Sequence, residues 1–168
     1  MRIIGGQARG RRLHAPKGRL LRPTSDRIKE ALFNIINPVA GKTFLDLFAG
    51  VGNVGIEALS REAARAVFVE RQGALADAIR KNINICGFGD ISDIICADAQ
   101  KGIALLKHRN ERFHVIFADP PYEKGLAGQT LSSLADGKLL AEDALIIIQH
   151  SAREELLEIR EGPFVLTD

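Results

Sequence analysis

Between residues 26 and 36 apolar side chains recur at Ile28, Leu32, Ile35 and Ile36, the spacing of one helical face, and the segment from Pro38 to Lys42 ends the run. Beyond it the pattern alternates. Short apolar runs near 43–48, 66–70, 91–97, 113–118 and 144–149 predict strands, and helical spacing near 53–63, 72–86, 99–108 and 125–136 predicts the helices between them. Such alternation predicts an α/β fold with a mainly parallel sheet covered by helices on both faces. Ahead of the first helix, Ile3-Ile4 and Arg12-Leu13 flank a stretch from Gly5 to Gly10, which predicts a β-hairpin. The chain shows no internal repeat and no low-complexity segment.

At 168 residues and 46% apolar composition, the chain can form one domain with a sizeable core, with the hairpin as an appendage. No apolar run approaches the roughly twenty residues of a membrane span, and the N-terminus lacks a signal peptide's apolar stretch, so the cytoplasm is the expected compartment. Cys86 and Cys96 form no Cys-x-x-Cys pair; they are expected near a helix end and inside a strand, as small core residues or inert thiols. His14, His108, His114 and His150 show no ligand spacing, so no metal is expected. The net charge of +2 conceals an asymmetry. Nine Lys or Arg and two acids fall in the first thirty residues, whereas the remaining 138 carry 14 bases and 19 acids. Arg9, Arg11, Arg12, Lys17, Arg19 and Arg22 lie among glycines and prolines in an aromatic-free segment, which suits phosphates more than bases, unless it is only a solvated basic tail.

The apolar run at 113–118 delivers Asp119-Pro120-Pro121-Tyr122 to the expected C-terminal end of a strand, where ligands bind in open α/β sheets. Neither proline carries a backbone N–H, so the turn is stiff and rich in acceptors. Asp119 adds a carboxylate, and Tyr122 offers a flat face for a base. These groups suit an exocyclic amine attacking an activated methyl group: two acceptors grip its hydrogens and the carboxylate stabilises the developing positive charge. Alignment contributes about 7–11 kcal/mol in well-oriented reactions, against about 1.5–3 for one charged hydrogen bond. Upstream, the strand from Thr43 runs into Gly50-Val-Gly52-Asn-Val-Gly55, a G-x-G-x-x-G loop opening a helix. Glu70 ends the second strand, placed to accept bonds from ribose hydroxyls, and Asp98 ends the third, placed near an adenine amino group. Each feature also has a plainer reading: a Pro-Pro turn capping a strand, a structural βα turn, and solvated helix starts at Glu70 and Asp98. The glycine loop serves NAD as well as S-adenosylmethionine, and the Asp119 turn favours the latter.

The chain resembles the bacterial small-subunit (16S) ribosomal RNA guanine-N(2) methyltransferases of the RsmD type. The resemblance covers nearly the whole chain: Arg2-Ile-Ile-Gly-Gly6, Gly10-Arg-Arg-Leu13, Arg22-Pro-Thr-Ser-Asp-Arg27, Glu30-Ala-Leu-Phe-Asn34, Leu45-Asp-Leu-Phe-Ala-Gly50, Gly55-Ile-Glu-Ala-Leu-Ser-Arg61 and Asp119-Pro-Pro-Tyr122. It implies a Rossmann-like class I S-adenosylmethionine-dependent methyltransferase fold, acting on the 2-amino group of one guanine in 16S ribosomal RNA within an assembling small subunit. The expected donor contacts are Asp46, Phe48, Ala49, Gly50 and Gly52 around the sulfonium, Glu70 and Arg71 at the ribose, and Ala97 and Asp98 at the adenine. Thr24 and Arg27 would meet donor or target, although Thr24 or Ser25 equally suits a helix cap. Asp119, Pro120, Pro121 and Tyr122 would form the catalytic turn. Residues 1–22 would be the basic RNA-binding hairpin and 23–168 the methyltransferase domain.

The chain departs from the family at two places. Val51 stands where the family usually carries Ser or Thr, and a further antiparallel strand normally follows the position of Asp168, so Phe164-Val-Leu166 would lack a partner at the sheet edge. The competing readings are a non-catalytic RNA-binding or ribosome-assembly protein on the same fold, a DNA adenine amino-methyltransferase and an NAD-dependent oxidoreductase.

Overall fold

Ser25 sets the start of the first helix. In the computed structural model, which describes residues 1–16, 25–122 and 124–151, Ser25 Oγ accepts the Ile28 N–H at 3.2 Å and caps α1 (Asp26–Ile36). Thr24, the other capping candidate, lies outside the described residues, as do Lys17, Arg19, Arg22 and the expected strand Phe164-Val-Leu166. The buried side of α1 is rotated from its predicted face. Leu32, Phe33 and Ile36 are buried with Lys29, whereas Ile28 and Ile35 are 43% and 68% exposed. The helix turns inward around Lys29 because that ammonium has a buried partner, described below.

The remaining elements are β1 (Thr43–Leu47), α2 (Asn53–Ser60), β2 (Arg65–Val69), α3 (Gly73–Cys86), a 3₁₀ turn (Gly89–Ile91), β3 (Ser92–Ile95), α4 (Ala99–His108), β4 (Phe113–Ala118), α5 (Leu126–Leu134) and β5 (Leu140–Ile148). The 3₁₀ turn delays the start of β3, and the strand ends at Ile95, so Cys96 lies beyond it and is exposed instead of packed inside it; Cys86 is buried as expected. β5 begins four residues before the predicted start. Its pairing with β4 shifts between Phe113 and Val115, and Asp143 takes a φ of 54° there, so the exposed Glu142-Asp143 interruption is absorbed as a bulge.

Among the described residues the five strands are parallel, in the order β3-β2-β1-β4-β5. Chain direction through the sheet reverses between β1 and β4, and a ligand crevice opens at such a switch point. Alternating side chains cover both faces. Phe44, Ala66 and Phe68 pack with residues of α1, α2 and α3, whereas Leu45, Leu47, Val67 and Val69 pack with Ile103 and Leu106 of α4 and Leu134 of α5. Register aligns the strand ends. Leu47, Val69, Ile95, Ala118 and Ile148 are mutual partners across the sheet, so Phe48, Glu70, Cys96 and Asp119 emerge along one edge.

The predicted hairpin reduces to one antiparallel bridge, Arg2 to Arg12, with Ile3 N–H donating to Arg11 O at 2.9 Å and Gly10 N–H to Ile3 O at 2.8 Å. Residues 1–16 pack into the domain instead of standing off it as an appendage. Ile3, Ala8 and Leu13 are buried, and Ser60 receives the Gln7 and Ala8 N–H groups on its carbonyl and hydroxyl oxygens. Gly6 adopts a φ of +71°, and a Cβ there would lie 1.7 Å from Ser60 O, so glycine is needed for this close approach.

Glu57, with no exposed surface, holds the join. Its Oε1 accepts from Gly5 N–H at 2.7 Å and Arg61 Nε at 3.0 Å, and its Oε2 accepts from Ile4 N–H at 2.9 Å and Lys29 Nζ at 3.2 Å. Lys29 Nζ also donates to Arg2 O and Asn53 Oδ1. Removing one partner of a buried, hydrogen-bonded ion pair strands the other charge, at a cost of about 3–5 kcal/mol. Glu57→Ala is therefore expected to lower the unfolding free energy by about that amount in urea titrations. Glu30→Ala, on the exposed side of α1, should change it by less than about 0.5 kcal/mol.

Candidate functional site

The edge built by the strand ends begins at the glycine loop. Gly50 and Gly52 take φ values of 59° and 81°, and Gly52 N–H donates to Ala49 O at 2.8 Å, closing a turn that releases the chain into α2. Phe48 is the first residue past β1 and holds a φ of 62°, unusual for an aromatic residue and concentrated at functional sites in proteins generally. A Cβ on Gly55 would lie 2.3 Å from the Phe68 ring, so glycine there lets α2 settle on β2. Val51 is buried against Leu75 and Ala78 of α3. It is absent from the cavity wall.

Glu70 is 6% exposed, not a solvated helix start. Its Oε2 accepts Gly50 N–H at 2.9 Å and its Oε1 accepts Gln72 N–H at 2.8 Å, which binds the end of β2 to the glycine loop. A carboxylate has about four acceptor sites, so each oxygen keeps capacity for a further donor. Asp98 does cap a helix: Oδ1 accepts Lys101 N–H at 2.9 Å at the start of α4, and that bond above all holds its carboxyl below the usual range. Its position nevertheless borders the cavity.

That cavity, about 510 Å³, joins the sequence-predicted groups. Phe48, Gly50, Glu70, Arg71, Ala97 and Asp98 line one part; Asp119, Pro120, Pro121 and Tyr122 line the other. Pro120 is buried, Asp119 and Tyr122 are partly exposed, and Pro121 is exposed. Val69, Gln72, Leu75, Ala99, Gln100 and Leu126 complete the wall without having been singled out in the sequence; Val69 follows from the strand and Leu75 from the helix that present them. Ala49 and Gly52 shape the loop from outside the wall, and Arg27 is exposed on α1 and does not line it. Arg9, Arg11 and Arg12 are also exposed, although the Arg11 guanidinium donates to Ile85 O at the end of α3. The buried polar groups Lys29 and Asn82 are among those the sequence did not reveal. The available signal was a polar residue on a helix's apolar stripe, as with Asn82 between Ile79 and Cys86.

Asp46 also stands behind the loop and not in the cavity wall. It lies on the α2 side of β1, 2% exposed, and Oδ2 accepts Gly55 N–H at 2.8 Å. Burial pushes its carboxyl up to about 7; the Gly55 bond opposes this, and the nearby Asp119 and Glu70 carboxylates add to it. The folded chain thus retains a proton that the unfolded chain releases near pH 4, and this contribution to stability declines as pH rises from about 4 to about 7. Asp46→Asn should gain stability relative to the parent across that window, by at most about 1.4 kcal/mol per pH unit, and level off above it. Urea midpoints at stepped pH measure this, and a constant gap would mean that Asp46 stays ionised throughout.

The chain is 38% identical over 157 residues to the ribosomal RNA small subunit methyltransferase D of Escherichia coli K12, covering 93% of this chain and 77% of that protein. The solved structure of the Escherichia coli protein yhhF superposes with a TM-score of 0.82 at 36% identity, covering 94% of this chain and 86% of that one. The SAM-dependent methyltransferase of Agrobacterium tumefaciens shares the fold alone, at a TM-score of 0.62 and 20% identity over 75% of this chain and 44% of that one. With the model described as conserved hypothetical protein 95 matching residues 1–164, the chain belongs to that family, the family of the ribosomal RNA small subunit methyltransferases D.

Proposed function

We propose that this protein methylates the exocyclic 2-amino group of a guanine in 16S ribosomal RNA, taking the methyl group from S-adenosylmethionine. One observation carries the reading: Gly50 of the glycine loop, Glu70 and Asp119 to Tyr122 all line a single cavity, so donor and amine can meet without crossing protein. The cavity's volume falls within the roughly 300–1,000 Å³ of small-molecule sites. Its residues also suit the donor's parts. Glu70 retains acceptor capacity for ribose hydroxyls, Val69, Leu75 and Ala97 offer apolar surface to an adenine ring, and Gly50 allows close backbone approach.

When bound, S-adenosylmethionine supplies an electrophilic methyl carbon on a positively charged sulfur. Asp119 and a carbonyl of the Pro120-Pro121 turn accept hydrogen bonds from the two amino hydrogens and turn the nitrogen lone pair out of the purine ring. Tyr122 stacks on the displaced base. As the nitrogen–carbon bond forms and the carbon–sulfur bond breaks, the Asp119 carboxylate stabilises the positive nitrogen, whose surplus proton then leaves toward solvent. No metal enters this scheme. The exposed Arg9 and Arg12 hold RNA phosphates; Arg11, Lys17, Arg19 and Arg22 extend the same basic segment, residues 1–22, beside the methyl-transfer unit, residues 23–168. The work belongs in the cytoplasm, on the assembling small subunit. Among the described residues no helix is long and apolar enough to cross a membrane.

Asp119→Ala should lower kcat by about 10²–10³, the loss typical of removing one charge-stabilising group, with little change in affinity for S-adenosylhomocysteine. Incorporation of tritiated methyl into 16S ribosomal RNA, followed by digestion to nucleosides, measures both rate and product; label in adenine, or an undiminished rate, would overturn the assignment. Replacing Arg9 and Arg12 with Ala should weaken RNA binding and flatten its log–log salt dependence by about 0.7 to 0.9 per arginine. An unchanged slope would remove them from the RNA contact.

A further inference from the structure

Asn82 has no exposed surface and is the polar exception among the buried residues of α3. Its amide is used on every side. Oδ1 accepts the His14 N–H at 2.7 Å, while Nδ2 donates to His14 O and to Val51 O, each at 3.0 Å. One side chain thus holds the N-terminal segment through both backbone groups of a residue and the glycine loop through a third bond. Met1 and Ala15 pack against Val51, Leu75 and Ala78, so the segment forms the rear wall of the loop. Pinning the segment would need only the His14 bonds. The bond to Val51 lands between Gly50, which lines the cavity, and Gly52, which starts α2.

We propose that Asn82 couples RNA binding on the N-terminal segment to methyl-donor binding on the glycine loop. This rests on the reading of RNA and donor given above. Gly50 N–H is fixed from the cavity side by Glu70 Oε2, and the Val51 carbonyl is fixed from behind by Asn82, so the loop is held between the two. The segment bearing Arg9 and Arg12 is fixed at His14 by Asn82 and at Ile4 and Gly5 by Glu57. Phosphates that immobilise the segment steady the Asn82 amide, and that amide steadies the loop. Each ligand therefore binds a chain whose ordering the other has partly completed, which is positive coupling and must be reciprocal. Asn82 does not line the cavity, so it is a positioning residue.

The experiment measures two affinities in each background. In the wild type, S-adenosylhomocysteine should bind about fivefold or more tightly when unmodified 16S ribosomal RNA, naked or assembled into 30S particles, is saturating, and the RNA should gain the same factor from S-adenosylhomocysteine. Asn82→Ala should bring both factors to one. A merely structural role would lower stability and leave the ratio in the folded fraction unchanged. Should that variant fail to fold, hydrogen exchange on the wild type decides: S-adenosylhomocysteine should slow exchange of the His14 amide, and RNA should slow exchange at Gly50 to Gly52. A wild type binding both ligands with a factor of one, exchange unaltered across the two segments, or a variant keeping the full factor would overturn the coupling and leave methyl transfer standing. A wild type binding neither ligand would overturn both.

Discussion

A carboxylate in a dry interior must be matched by donors, and Glu57 meets that demand with groups from three places in the chain. Two are main-chain N–H groups of Ile4 and Gly5, one is the buried ammonium of Lys29 on α1, and one is Arg61 a helical turn away. Because α2 follows directly from the glycine loop, the same carboxylate that locates the N-terminal segment also locates the helix beginning at Asn53. Lys29 bonds to Asn53 as well, which closes the network. A less saturated Glu57 would not tolerate this burial, and with its partners loosened the loop would have no fixed rear support.

The sheet supplies the other half of the arrangement. Parallel strands in register bring Phe48, Glu70 and Asp119 out on one edge, and the reversal between β1 and β4 separates the helices that follow them. The loop after β1 and the turn after β4 therefore face a common crevice. Glu70 couples its strand end to the loop through Gly50, so the acid expected at a ribose also braces the peptide beside it. Asp46 is displaced from the role its neighbours suggest: alternation along β1 turns it toward α2, where Gly55 N–H is its partner.

The groups legible in the sequence were those whose position follows from local order. Asp119-Pro120-Pro121-Tyr122, Gly50, Gly52 and Glu70 each lie at a strand end, and a strand end can be read from an apolar run meeting a break. The illegible features depend on what a residue meets far along the chain. Lys29 looks like an exposed helix residue until Glu57 is placed beside it, and its burial is why the apolar spacing of α1 misstates the inward face. The bulge around Asp143 hid the first part of β5 behind two acids, and β3 stops at Ile95, which leaves Cys96 outside. The basic segment was legible as charge but not as architecture, because the burial of Ile3 and the close passage of Gly6 over Ser60 leave no local pattern.

Sequence separation gives the docked N-terminus a further consequence. Ile4 and Gly5 lie 53 and 52 residues before their carboxylate partner, and His14 lies 68 before its amide partner. On a translating ribosome, residues 4–14 are made before their partners and have nowhere to bind until α1, β1, α2, β2 and most of α3 have followed. The basic arm is thus made before its seat and docks late, because each of its anchoring bonds closes a loop of more than fifty residues.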